Sequence, residues 1–226
     1  MKNLGREAFF DLMMLSVVAG SADAAGFLGL GHVFTSNMTG NLVLLGIAAG
    51  EHEWSQVFKT LAVLLTFAFG VGMGSRLVKD LPDLAWKKVL IRILAVETCL
   101  IFTFAVLWTI DTVEKLSPHF YLLIVFLTTA MGLQSAAMSR LMIAGVSNTA
   151  MTGTLTSLCV GIETRLRPNA SREVVEKRIF EQFLVIVLYC CGALCTCLLL
   201  HFVRWAIGFV PATIALVMLA RRILRR

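Results

Sequence analysis

Long hydrophobic segments recur along the whole chain and constrain its fold more than any other feature. A segment of about 18 or more apolar residues can cross a bilayer as a helix. Hydrophobic residues make up 58% of the 226 residues and charged residues 15%, which leaves no room for a sizeable soluble domain. We therefore expect an all-α integral membrane protein with a single membrane domain, residues 1–226. Six spans are predicted, at residues 8–31, 57–78, 88–110, 118–143, 179–203 and 205–220.

The connecting segments indicate how the spans are oriented. Lys and Arg residues gather before the first span, between the second and third, between the fourth and fifth, and after the sixth. The alternate segments and the span ends beside them hold only Lys59, Lys115 and Arg204. Because cytoplasmic loops carry an excess of positive charge, this distribution predicts six crossings with both termini in the cytoplasm. It also accounts for the net charge of +6 without a nucleic-acid partner.

Two apolar segments, Met38 to Ala49 and Met151 to Ile162, are shorter than a span. At about 1.5 Å per residue each would form a helix of roughly 18 Å, about half the thickness of a bilayer. If both were full crossings, the basic loop from Arg76 to Lys88 would lie outside, which the positive-inside rule disfavours. We expect half-helices that re-enter the membrane, with full crossings as the alternative.

The two short segments belong to an internal repeat. Met38-Thr39-Gly40-Asn41-Leu42 matches Met151-Thr152-Gly153-Thr154-Leu155, and a polar patch precedes each copy. The copies lie about 113 residues apart, half the length of the chain. With three crossings per half, the second copy enters the membrane from the opposite side. The sequence therefore predicts two inverted three-helix repeats, about 1–112 and 113–226, each with a half-helix after its first span, as in many transporters.

The starts of the half-helices form the candidate substrate site. A helix start presents unpaired N–H groups and partial positive charge, which stabilise an anionic or carbonyl group. Because the halves are inverted, we expect the two starts to face each other near the membrane midplane. Hydrogen bonding between packed helices is the alternative role. The candidate substrate-binding residues are Asn37, Thr39, Gly40, Asn41, Asn148, Thr152, Gly153 and Thr154.

Among the ionisable residues of the predicted spans, three are candidates for proton or ion coupling: Asp23, Glu97 and Arg140. Charged groups at membrane depth are costly unless paired or hydrated, and they often mark ion paths. Asp23 is the leading candidate, with a structural role as the alternative. Arg140 either pairs with an acid or extends to the inner surface. Arg92 lies five residues from Glu97, a poor spacing for a helical pair, so the partner of Glu97 stays open.

Other functional classes lack their sequence signatures. The chain has no G-x-S-x-G elbow, no Walker motif and no dinucleotide-binding glycine pattern, so we expect neither an enzyme nor a bound cofactor. The six cysteines lie in apolar stretches and are interpreted as buried packing residues, not metal ligands. The expected partners are membrane lipid, an unidentified small solute or ion, and, as an open option, a second copy of the chain.

The stretch A-G-S-A-D-A-A-G-F-L-G-L-G-H-V-F-T-S-N-M-T-G-N-L-V-L-L-G resembles the opening signature of the YoaK family of bacterial inner-membrane proteins. The resemblance implies a bacterial plasma-membrane protein with about six spans and carries no assigned activity. Asp23, Thr39, Gly40 and Asn41 stand at the positions that define this signature. The second copy departs from it, with Ser135 in place of Asp23 and Thr154 in place of Asn41, so any site is asymmetric.

Taken together, these features predict a secondary transporter, or permease, for a small polar or anionic solute, with proton coupling as an option. A passive channel lined by paired half-helices is the first alternative. A membrane scaffold that transports nothing is the second. The substrate, the direction of transport and the oligomeric state are not encoded in any motif of the chain.

Overall fold

The chain is mostly helical in the part that the computed structural model describes, residues 6–78, 83–110, 117–141, 151–166, 172–203 and 207–224. Eight α-helices lie in these ranges, and no strand is found among them. The helices are α1 Arg6–Gly29, α2 Met38–Gly50, α3 Trp54–Val78, α4 Asp83–Ile110, α5 Pro118–Leu141, α6 Met151–Arg165, α7 Arg172–Phe202 and α8 Phe209–Leu224.

Five of these helices are long and apolar enough to cross a membrane: Phe9–Gly29, Trp54–Val78, Lys88–Ile110, Pro118–Ser139 and Glu173–Phe202. The prediction of an all-α membrane protein with several spans is confirmed. The sixth predicted span corresponds to α8, which has 16 residues and is shorter than these five. At about 1.5 Å per residue it is roughly 24 Å long. The sixth crossing therefore stays a prediction.

Several helices extend beyond the predicted hydrophobic spans. The span predicted at 179 belongs to α7, which begins at Arg172 with a charged first two turns. Glu176 in these turns accepts a hydrogen bond from Nε of Arg165 at 2.9 Å, across from the end of α6. Hydropathy detects only the part of a helix that is in lipid. Backbone hydrogen bonds can extend the same helix beyond the lipid, into water.

The two central spans, α1 and α5, are the most buried. They contact each other, and α4 and α8 complete a group of four helices that we call the central bundle. Outside it, α3 packs along α5 and α7 packs along α1. Both pairs approach closely because glycines lie at the crossings, such as Gly70 and Gly132 between α3 and α5.

The two short helices lie outermost: α2 packs on α3, and α6 packs on α7. The outward faces are apolar, with Leu65 and Phe69 of α3 and Leu198 and Phe202 of α7 exposed. Apolar exposure of this kind fits contact with lipid tails. All six cysteines are exposed as well, so the interpretation of these residues as buried packing residues was wrong. Hydropathy does not distinguish a lipid-facing position from a buried one.

Candidate functional site

The chain reverses direction directly after α1. Gly31 and His32 both adopt left-handed backbone conformations, with φ of 73° and 64°. The N–H of His32 donates to the carbonyl of Phe27 at 3.0 Å, and the N–H of Leu30 donates to the carbonyl of Gly26 at 2.9 Å. These bonds satisfy carbonyls that the end of a helix leaves free. The turn directs the next residues back along α1 instead of away from it.

Residues 33–37, which we call the connector, run back against α1. Gly26 makes this approach possible. A Cβ at Gly26 would lie 2.8 Å from the carbonyl oxygen of Val33 and 2.7 Å from Cγ2 of Thr35. Both distances are shorter than ordinary van der Waals contact. A side chain at this position would force the connector away from the helix.

Asp23 of α1 holds the connector in place. Its Oδ1 accepts hydrogen bonds from the backbone N–H of Thr35 at 2.7 Å and of Ser36 at 2.6 Å, and from Oγ1 of Thr35 at 3.0 Å. Its Oδ2 accepts from Oγ of Ser36 at 2.7 Å and from the hydroxyl of Tyr189 of α7. The carboxylate is 3% exposed. Five donors therefore surround it, and they join α1, the connector and α7.

Asn41, one turn into α2, holds the connector from the other side. Its Oδ1 accepts from the N–H of Phe34 at 2.9 Å, and its Nδ2 donates to the carbonyl of Phe34 at 2.7 Å. The side-chain amide therefore takes the place of a neighbouring strand for one residue of the connector. Asn41 is fully buried. Its role in the structure is to satisfy backbone groups that no helix satisfies.

These contacts set the level along α1 at which α2 begins. Asp23 lies six residues before the end of α1, about 9 Å from it along the axis, and the connector descends to that level. From there α2 runs for 13 residues, about 20 Å. Nζ of Lys59, early in α3, donates to the carbonyl of Gly31 at 2.5 Å and ties the reversal to the next span.

The first residues of α2 are less enclosed. Asn37, the N-cap residue, makes no side-chain capping hydrogen bond to the helix, and its Oδ1 accepts from Oγ1 of Thr39 at 2.9 Å. Thr39 is exposed, whereas Gly40 lies against the ring of Phe34. Of the predicted substrate-binding residues in the first repeat, Asn37 and Thr39 are accessible, and Asn41 is engaged by the connector.

The second copy of the motif shows a similar distribution of exposure, with a more open glycine. Thr154, the counterpart of Asn41, is buried. Thr152 and Gly153 are exposed, and a Cβ at Gly153 would meet nothing within 4 Å. Asn148 lies outside the described residues. Ser135, at the position of Asp23, donates to the carbonyl of Met131 in its own helix at 2.7 Å.

The two half-helices pack on different helices. Within the described ranges, α2 contacts α3, α6 contacts α7, and α2 and α6 do not contact each other. The expectation that their starts face each other near the membrane midplane stays a prediction. The close glycine crossings bring α1 onto α7 and α3 onto α5, and each half-helix packs on the outside of one of these pairs.

The remaining ionisable candidates differ in their surroundings. Glu97 is completely buried in α4, and neither of its carboxyl oxygens has a hydrogen-bond partner in the part of the chain that is described. Arg92 is exposed. Arg140 lies in the last turns of α5, and its side chain is outside the described part.

Two functional residues were missed by sequence reasoning. Tyr189 binds Asp23 from a helix 166 residues away, and its signal is a phenol hydroxyl within an otherwise apolar span. Gln134 of α5 donates to the carbonyl of Leu15 of α1 at 3.0 Å, while its Oε1 is buried without a partner among the described residues. A buried amide within a span is the sequence signal that could have identified it.

An all-helical chain with five helices of spanning length and a connector folded back into the helical bundle is a multi-pass membrane protein. Residues 12–220 match the family model described as Protein of unknown function (DUF1275), and the chain belongs to this family. It is 36% identical over 198 residues to the UPF0700 transmembrane protein YoaK of Bacillus subtilis (strain 168), an alignment that covers 86% of each chain. The predicted family is confirmed. No solved structure matches the chain.

Proposed function

We propose that this protein is a secondary transporter for a small polar or anionic solute, built as one membrane domain, residues 1–226, from two inverted repeats. The observation that carries the proposal is the equivalence of its two close helix crossings. Gly20 of α1 lies against the backbone of Tyr189 of α7, and Gly132 of α5 lies against the backbone of Phe67 of α3. Gly132 follows Gly20 by about 112 residues, and Tyr189 follows Phe67 by about 122.

The reciprocal contacts obey the same offsets. Gly192 of α7 lies against the carbonyl of Val17, and Gly70 of α3 lies against the carbonyl of Thr129. The other helix contacts of the two halves also correspond when α1 to α4 are matched in order with α5 to α8. The contact of α2 with α3 corresponds to that of α6 with α7, and the contact of α4 with α5 corresponds to that of α8 with α1. Two equivalent halves of this kind support transport by movement of one half against the other.

The proposal has six crossings with both termini in the cytoplasm of a bacterial inner membrane, and the positions of the chain ends support the even number. Arg222, near the end of α8, donates to Oδ1 of Asp11 at 3.1 Å and to Oε2 of Glu7 at 3.2 Å, both near the start of α1. Arg221 lies over the ring of Phe10, 3.3 Å from its centroid. Both ends therefore lie at one side of the bundle, as an even number of crossings requires, and this supports α8 as the proposed sixth crossing.

For the substrate site we propose the accessible starts of α2 and α6. Asn37, Thr39, Thr152 and Gly153 offer hydroxyl, amide and open backbone positions to a polar solute. Asp23 and Asn41 position the first of these starts and are not themselves free to bind solute, since the connector occupies their hydrogen-bonding groups. No enzymatic activity, cofactor or nucleic-acid partner belongs to this proposal, and lipid covers the outer apolar faces.

A carrier fits these contacts better than a channel does. The side chains of the central bundle that face inward are mostly apolar and fully buried, such as Ile101, Phe104, Leu127 and Met131. A channel conducts through a continuous wetted path, whereas a carrier opens to one side at a time. A carrier that is closed at its centre in one conformation would have the packed centre that is observed here.

The test is counterflow in proteoliposomes. Proteoliposomes that contain the purified protein are loaded with one unlabelled compound from a panel of carboxylates, inorganic anions, amino acids and polyols. Uptake of the same compound in labelled form is then measured. We expect saturable counterflow for one class, with a raised KM in Thr39→Val and Thr152→Val and no change in Ser135→Ala. Rapid flux without saturation would indicate a channel. No flux of any compound, together with intact function of both threonine variants in the cell, would indicate a scaffold.

A further inference from the structure

Glu97 occupies an unusual position for a carboxyl group. It is fully buried in the middle of α4, one turn from Leu94 and Ile101 on either side, and both of these are buried as well. Within the described ranges neither carboxyl oxygen has a hydrogen-bond partner. Burying an ionised carboxylate without a partner is strongly unfavourable, and native proteins seldom leave such a group uncompensated. Its position therefore calls for a compensating charge.

The level of Glu97 is a boundary between two apolar clusters. The first cluster includes Ile101 and the second includes Leu94, and each cluster draws residues from all four helices of the central bundle. Glu97 lies between these two residues in sequence. On the other three helices the same boundary falls between Leu15 and Val18 of α1, between Met131 and Leu133 of α5, and between Ala215 and Met218 of α8.

Further unsatisfied oxygens lie close to this boundary. Gln134 follows Leu133 on α5, and its Oε1 is buried without a partner in the described part of the chain. Thr98, next to Glu97, has a buried hydroxyl in the same condition. Among the described residues of α4 and α5, the buried side-chain atoms without partners are all oxygens, and Glu97 is the acid among their residues. One buried carboxylate is balanced by a cation with a single positive charge.

The other charged groups of the central bundle are engaged elsewhere. On α1, Asp23 is held by five donors from the connector and α7, and Asp11 is paired with Arg222 of α8. Arg221 lies over Phe10. Among the other described side chains of these helices, Glu7 pairs with Arg222, and Lys88 and Arg92 of α4 are exposed. Nε2 of His119 of α5 lies 3.1 Å from the carbonyl of Leu107.

We infer that Glu97 binds one monovalent cation, a proton or Na⁺, inside the central bundle, and that this cation is the one coupled to solute movement. The coupling rests on the proposed transport function, whereas the cation binding does not. Of the predicted coupling residues, Glu97 takes this role in place of Asp23, because Asp23 is already compensated by its donors. A divalent ion would leave one charge uncompensated in an apolar layer.

The first experiment measures cation binding without transport. Infrared spectra of the purified full chain in sodium-free buffer are compared across a pH series for the wild type, Glu97→Gln and the exposed control Glu51→Gln. We expect a carboxylic-acid C=O band in the wild type and Glu51→Gln that is lost in Glu97→Gln. If Na⁺ is the occupant, adding it removes this band, and radioactive sodium binds once per chain to the wild type and not to Glu97→Gln.

The inference is overturned if wild type and Glu97→Gln give the same spectra at every pH and bind sodium equally. Should Glu97→Gln fail to fold, Glu97→Leu serves in its place, and the wild-type band must still respond to pH or to sodium. Counterflow separates the two proposals. If solute exchange is observed while Glu97 responds to no cation, the transport proposal is supported and the cation site is refuted. If Glu97 responds to a cation and no solute flux is found, the cation site is supported and the transport proposal is refuted.

Discussion

Replacement of Asp23 by Ala should release the connector from α1. The side chain supplies the acceptor for the backbone N–H groups of Thr35 and Ser36, and both of these residues are buried. A buried donor that loses its partner costs about 1–3 kcal/mol. Two such donors give a loss of roughly 2–6 kcal/mol in the free energy of unfolding. The hydroxyl donors add less, because a hydroxyl can rotate toward another acceptor.

Asp23→Asn should cost less than Asp23→Ala. An amide keeps one oxygen in the position of Oδ1, where the two N–H groups point, and the hydroxyls of Ser36 and Tyr189 can turn to accept from its nitrogen. What is lost is the charge assistance, which roughly doubles the strength of a hydrogen bond. We expect a loss of about 1–2 kcal/mol for this variant.

The assay combines thermal unfolding in detergent with hydrogen exchange of the peptide that contains residues 33–37. For a chain of this length about 1 kcal/mol shifts the midpoint by roughly 2–4 °C, so Asp23→Ala should lower it by at least about 4 °C. Exchange at Thr35 and Ser36 should accelerate while α5 stays protected. The matched control is Ser135→Ala, which removes one bond within its own helix and should change stability by about 0.5 kcal/mol or less. Equal effects of Asp23→Ala and Ser135→Ala, or unchanged exchange in the connector, would refute the reasoning.

Three further predictions concern packing and pairing. Gly20→Leu should separate α1 from α7 and lower the free energy of unfolding by about 3 kcal/mol or more. Gly46→Leu is the control and should fold normally, because a Cβ at Gly46 meets nothing within 4 Å. Similar folded yields of the two variants would contradict this prediction. Asn41→Leu leaves two connector backbone groups without partners and should cost about 2–4 kcal/mol with faster connector exchange, and unchanged exchange would argue against its role. Arg222→Ala leaves Asp11 buried and unpaired, so it should cost about 3–5 kcal/mol in unfolding titrations. Addition of Asp11→Asn should recover part of that loss, and additive effects in the double-mutant cycle would exclude the pairing.

Helix positions followed closely from hydropathy, because a helix in lipid must satisfy its own backbone and have the length of the bilayer. The predicted half-helix from Met38 begins at that residue, and α5 begins at Pro118 as predicted. The start of α5 is also fixed locally, since Oγ of Ser117 accepts from the N–H of Phe120 at 3.1 Å. Signals of this kind act within a few residues, and a single sequence contains them.

The sequence predicted which residues belong to the site, but not which residues they contact. Asp23 and Asn41 were identified as unusual polar residues in apolar surroundings, and in the structure both accept hydrogen bonds from the connector. The role of Asp23 depends on Tyr189, which no local pattern links to it. Likewise, Glu97 was recognised as an acid at membrane depth, while its position between two apolar clusters follows from how four helices pack.

A helical membrane protein with a broken segment after its first span could be predicted from the sequence alone. The physical reason is that a segment in lipid must satisfy its own backbone hydrogen bonds as a helix, and bilayer thickness sets the length of that helix. Tertiary structure alone decided which helices touch. The crossings of α1 with α7 and of α3 with α5 depend on glycines that let two backbones approach, and the choice between partners depends on packing over the whole surface. Those crossings placed α2 on α3 and α6 on α7, brought Tyr189 to Asp23 and enclosed Glu97 in the central bundle.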